Sequence, residues 1–129
     1  MRQGRQTRFF KKLLLNLCFI LNVGIHMIIY HTTFHLSDEI YLKGLDYLKS
    51  TYIPAATQSE MLHSPKMQRV LNEEGDSDGV SLSVQFLVEN TVILEEWMHK
   101  EGVKLQREMS EKFRDQIAGF STLLEIIEL

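Results

Sequence analysis

From residue 27 onward the apolar and polar positions change period in an order that predicts alternating strands and helices. Residues 28–36 read as a strand, with Ile28, Tyr30, Thr32, Phe34 and Leu36 on one side and Ile29, His31, Thr33 and His35 on the other. Ser37 then stands where a helix cap is wanted, with Asp38 and Glu39 in the first turn at the positive end of the helix dipole. Tyr41, Leu45, Leu48 and Tyr52 recur at helical spacing, while Lys43, Asp46 and Lys49 take the solvated side. Pro54 predicts a break, and Ala55 to Met61 a short second helical piece.

Met67 to Leu71 predict a second strand, and the acidic, glycine-containing run from Glu73 to Gly79 a hairpin loop. The third strand has the clearest alternation: Val80, Leu82, Val84, Phe86 and Val88 against Ser81, Ser83, Gln85, Leu87 and Glu89. Asn90 is placed to cap a long helix over residues 91–113. Leu94, Met98, Leu105, Met109 and Phe113 form its buried stripe, with Gly102 on the same side, predicted to pack closely on the sheet or bend the helix. A last strand is predicted from Ile117 to Ile127.

Elements of this type and order make an α+β domain of the ferredoxin-like βαββαβ pattern over residues 27–129. Right-handed crossovers put both helices on one face of a four-stranded antiparallel sheet and leave the other face open. Ile28, Tyr30, Phe34, Leu82, Val84 and Phe86 belong under the helices. The open face carries His31, Thr33, His35, Ser81, Ser83, Gln85 and Leu87 with part of the last strand. It is too polar for a dry core and too apolar for open water. Such a face suits a dimer interface or the lining of a cleft, which makes His31, Thr33, His35, Ser83 and Gln85 the candidate cleft residues.

Residues 1–26 differ in kind. Arg2, Arg5, Arg8, Lys11 and Lys12 meet no acid there, and the apolar run from Leu13 to Leu21 is broken by Asn16 and followed by Asn22. The run is short of the about 20 apolar residues a spanning helix needs. It imitates a secretory signal, yet it contains no alanine and offers only Asn22-Val23-Gly24 as a small-residue cleavage signal. The expectation is an upstream extension, with Met27 as the true start of a cytoplasmic domain. Export or a membrane anchor is the alternative if the segment is translated.

Residues 27–129 hold nine basic residues against all 17 acidic ones, a net charge of −8 that repels phosphate backbones and argues against nucleic acid as a partner. The single cysteine, Cys18, lies in the leading segment, so the domain has no disulfide, thiolate metal site or cysteine nucleophile. His31 and His35 lie about 13 Å apart along one strand, too far for one ion. Glu96 and His99 have the Glu-x-x-His spacing of di-iron bundles, without the second pair and further glutamates those sites need. Glu95 and His99 are more simply neighbours one turn apart. The run Glu74-x-Asp76-x-Asp78-Gly79 opens like an EF-hand loop, but Gln85 stands where the bidentate glutamate belongs. No phosphate loop, dinucleotide fingerprint or nucleophile motif occurs. No metal, cofactor or catalytic residue is therefore expected.

Several segments together carry a resemblance: Met27-Ile28-Ile29-Tyr30, Tyr52-Ile53-Pro54, Val84-Gln85-Phe86, Phe113-Arg114-Asp115 and Phe120-Ser121-Thr122-Leu123-Leu124-Glu125. The chain from residue 27 to 129 resembles a family of short bacterial proteins described only as a domain of unknown function. That family looks like a relative of the dimeric α/β-barrel superfamily, in which two ferredoxin-like sheets face each other and which includes small monooxygenases, haem-degrading enzymes and ligand-sensing modules. The resemblance implies a homodimer and brings no catalytic residues to transfer; no membrane partner is expected for residues 27–129. The function expected is a homodimeric α/β barrel with no assignable catalysis and room for a small-molecule ligand. A cofactor-independent monooxygenase-like enzyme on a small apolar substrate is one alternative, with His31 or His35 as the acid–base group, since imidazole ordinarily titrates near neutrality. A small-molecule sensing or interaction module is the other. Fold analogy alone does not separate them.

Overall fold

The computed structural model describes residues 27–71 and 78–129. Its elements are β1 (Ile28–Leu36), a helix α1 over residues 41–57, β2 (His63–Arg69), β3 (Val80–Val88), a helix α2 over residues 91–113 and β4 (Ile117–Glu125). The strands form one sheet in the order β2-β3-β1-β4, with every neighbouring pair antiparallel. This is the split βαββαβ arrangement, with both helices on one side.

The register explains which side is buried. Tyr30 faces Phe86, Thr32 faces Val84 and Phe34 faces Leu82 across β1 and β3, and because strand side chains alternate, all of them turn toward the helices. Leu48, Tyr52 and Ala56 from α1 and Ile93, Leu94, Trp97, Leu105, Met109 and Phe113 from α2 complete the core. Gly44 is buried where α1 crosses β1, and a methyl group there would land on the Leu36 side chain. Asn90 caps α2 as expected, its Oδ1 accepting the Ile93 N–H at 2.9 Å.

Five boundaries differ from the sequence expectation. The Ser37 hydroxyl caps nothing and is buried without a partner among the described residues; the chain enters α1 through a 3₁₀ turn at Asp38–Ile40, and the Ser37 N–H is held instead by the Gln116 carbonyl at 3.0 Å. Pro54 starts no separate helix. It follows a π turn at Leu48–Tyr52, whose wider hydrogen-bond spacing lets α1 run on to Thr57 despite the missing N–H. β2 begins at His63 rather than Met67, because an irregularity between His63 and Lys66, with Ser64 at φ 55°, absorbs Pro65 on an edge strand. It ends at Arg69, leaving Val70 and Leu71 exposed. β4 ends at Glu125, with one further bond from the Ile126 N–H to the Met27 carbonyl. Residues 1–26 and most of the acidic hairpin loop, including Glu74 and Asp76, lie outside the described residues.

Candidate functional site

The five candidate cleft residues all reach the open face of the sheet, in cross-strand rows set by the register. One row runs Thr122, His31, Gln85, Lys66, and the next Phe120, Thr33, Ser83, Gln68. His31 Nε2 lies 2.7 Å from the Ser83 hydroxyl, which donates to Gln68 Oε1 at 3.2 Å. With its proton committed to Gln68, Ser83 accepts from His31, so His31 carries its proton on Nε2. His35 is held at both nitrogens: Nε2 donates to the Asp78 carbonyl at 2.9 Å, and Nδ1 accepts from the Ser81 hydroxyl at 3.0 Å. One strand therefore presents a tethered histidine at its end and a serine-paired histidine at its middle. The row beyond them runs Leu124, Ile29, Leu87, His63, apolar except for the histidine on the edge strand.

The cavity lies on the other side of the sheet. Residues 118–125 of β4 are exposed along both faces, so α2 does not cover this edge strand and a cleft of about 790 Å³ remains between them. Tyr30, Thr32, Phe34 and Tyr52 line its inner wall. Trp97, Met98, Gly102, Met109 and Ile117 continue it, and Gln106, Arg107 and Ser110 stand at its mouth. Its floor on β4 is made of Gly119 and Ser121, whose side chains are too small to fill the space under α2. Gly119 sits opposite Phe34 in the register, and a methyl group there would stand 3.1 Å from the Phe34 ring.

Two local irregularities shape the walls. The π turn of α1 ends at Tyr52, and a second π turn in α2, Met98–Gly102, begins and ends on residues that line the cleft. Such turns are frequent at functional sites because they re-aim side chains within a continuous helix. Between the walls, the hydroxyls of Thr32 and Ser121 are hydrogen-bonded at 2.8 Å across β1 and β4, forming a small polar spot in an otherwise aromatic and thioether lining. Burial, reinforced by the neighbouring Tyr30, raises the Tyr52 phenol above its ordinary value, so it remains a neutral donor in the working pH range.

Sequence periodicity placed His31, Thr33, His35, Ser83 and Gln85 together correctly, but it missed the cleft. Periodicity singled out none of Gln106, Arg107, Ser110, Gly119 and Ser121 as site residues. The available signal was that two successive inward positions of the last strand, Gly119 and Ser121, are small. Among the described residues no group of three or more metal-ligating side chains comes together, and Glu96 pairs with Lys100 at 3.1 Å on α2. No helix among them is long and apolar enough to cross a membrane.

Solved structures with this architecture are known. An ethyl tert-butyl ether degradation (EthD) family protein from Bacillus halodurans superposes with a TM-score of 0.55 at 16% identity, over 79% of this chain and 99% of that one. The hydroxynitrile lyase of Passiflora edulis gives 0.58 at 14%, over 79% and 95%. A dimeric ferredoxin-like protein from an uncultured marine organism gives 0.53 at 14%, over 80% and 96%. At these identities the likeness is one of fold. None of the curated proteins matches the chain. The family model that does match runs from residue 27, where the patterned sequence begins, to residue 127, and by it the chain belongs to the domain-of-unknown-function family DUF4286.

Proposed function

We propose that this protein is a homodimeric small-molecule-binding domain, with its ligand in the cleft between α2 and β4 and its partner on the open face of the sheet. The observation that carries the reading is the cleft itself. Its volume of about 790 Å³ falls within the roughly 300–1,000 Å³ of small-molecule sites, and its lining is that of such sites, mostly apolar with a few convergent polar groups. The dimer is supported by the apolar row of Leu124, Ile29 and Leu87 beside a hydrogen-bonded polar one, and by a solved relative in fold that is described as dimeric. In this reading His31, Thr33, His35, Ser83 and Gln85 are interface residues rather than ligand contacts. A cysteine-free domain fits a reducing, cytoplasmic setting.

A fragment screen by NMR tests the reading. Met98 and Met109 line the cleft, so their methyl groups report on it, while the rings of His31 and His35 report on the open face. Fragment-induced shifts at the two methionine methyls are expected. Shifts confined to the two histidine rings would move the ligand to the open face and overturn the assignment. Light scattering on the full chain should give twice the monomer mass, with an interface burying about 1,200–2,000 Å².

A further inference from the structure

Charge decides what the cleft selects. The domain is acidic, with nine basic residues against 17 acidic ones between residues 27 and 129. Among the described residues lining the cleft, however, the only charged side chain is a cation, Arg107, at the mouth on α2. No ion pair of Arg107 occurs among the described residues. Its neighbours at the mouth, Gln106 and Ser110, add neutral hydrogen-bonding groups. A smaller hollow shares Arg107 and Ser110 with this rim and adds Glu111 and Arg114. The lining of the larger cleft itself carries one cation and, among the described residues, no anion.

The walls narrow the choice further. Four aromatic side chains, Tyr30, Phe34, Tyr52 and Trp97, and two thioethers, Met98 and Met109, line the same space. Aromatic and thioether surfaces favour a flat ring over a flexible chain, because offset and edge contacts with ring faces add to simple burial. A guanidinium at the rim is the side chain best suited to a planar carboxylate, which it can engage with two parallel N–H bonds. From these two features, and resting on the cleft reading above, we infer that the ligand is an aromatic monocarboxylate. Its ring lies against the wall made by Phe34, Trp97 and Tyr52, and its carboxylate meets Arg107 at the mouth. The cleft is open at that end, so the charged group stays partly hydrated while the ring is buried, and no anion is stranded in the interior.

The test is calorimetric titration of the full chain with 2-naphthoate and with its neutral isostere 2-naphthamide. Wild type should bind the acid at least tenfold more tightly than the amide. Arg107→Met, at an exposed helix position, should erase that preference. Val103→Trp, at a half-exposed position of α2 that also lines the cleft, should fill the mouth and abolish both. Equal binding of the two probes by wild type would overturn the carboxylate assignment while leaving the cleft as a ligand site. Binding of neither probe by wild type, or undiminished binding by Val103→Trp, would overturn the cleft reading and the inference with it.

Discussion

The indole N–H of Trp97 donates to the carbonyl of Ala56 at 2.9 Å, tying the middle of α2 to the last turn of α1. The bond matters because Ala56 lies in that final turn, where carbonyls lack a partner within the helix. Trp97 is 1% exposed and also meets the Tyr30 ring edge-on, with centroids 5.7 Å apart. It thereby fixes the separation of the two helices that roof the core.

Trp97→Phe should therefore cost more than the lost ring volume. It leaves the Ala56 carbonyl buried without a donor and opens space against Tyr30, for a combined loss of about 2–4 kcal/mol. Urea denaturation of the variant beside wild type measures it. A loss below about 0.5 kcal/mol would mean that the bond does not span the helices in solution.

Gly102→Ala pits two effects against each other. Alanine favours a helix interior by about 1 kcal/mol over glycine. The added methyl, however, would stand 2.5 Å from the Met98 sulfur and 2.6 Å from the Trp97 ring. Met98 can move aside, but Trp97 is held by Ala56 and Tyr30. Overpacking of this kind costs roughly 1–3 kcal/mol, so the net expectation is destabilisation of about 1 kcal/mol, again read from urea midpoints. A more stable variant would show that the π turn relaxes to absorb the methyl.

The strands and their faces were legible because period-two alternation is unambiguous when one face is buried. Tyr30, Phe34, Leu82 and Phe86 went to the core, and His31, Thr33, His35, Ser83 and Gln85 to the open face. The cleft was not legible, for a physical reason. It exists because Gly119 and Ser121 fail to fill the space under α2, and an absence of volume leaves no periodic mark. Ser37 misled because its backbone N–H is taken by Gln116 and the chain turns through Asp38–Ile40 before the helix starts. Pro65 concealed the start of β2, since a proline argues against a strand unless an irregular edge absorbs it, as the shift between His63 and Lys66 does.

The open face should dissociate when charge is placed on its apolar row. Leu124 is 44% exposed and lies on β4 opposite Ile29, so Leu124→Lys is tolerated by the subunit fold. In a symmetric dimer the substitution occurs twice, and it should weaken association at least tenfold, seen by light scattering over a dilution series. Lys49→Glu, on the exposed side of α1, should leave the mass at twice the monomer. Equal behaviour of the two variants would remove this face as the interface.

Tyr52 predicts an alkaline limit to stability. Its ring packs edge-on to Phe34 at 5.7 Å and near Phe86 at 6.3 Å between centroids. Burial first, and Tyr30 second, raise its pKa above the ordinary 10.0. In the unfolded chain the phenol ionises near that ordinary value, while in the folded chain it keeps its proton. Below pH 10 both states are protonated and Tyr52 adds nothing to the pH dependence. Above it, the unfolded state sheds a proton that the folded state retains, so stability falls by up to about 1.4 kcal/mol per pH unit until the folded phenol also ionises. Tyr52→Phe has no proton to lose. Its stability relative to wild type should be constant from pH 7 to pH 9 and then improve steadily from pH 10 upward, whatever the fixed cost of losing the hydroxyl. Urea midpoints for both proteins across that range decide it. Parallel curves would mean that Tyr52 ionises in the folded protein through the open cleft, and that its hydroxyl is in contact with water rather than held as a buried donor.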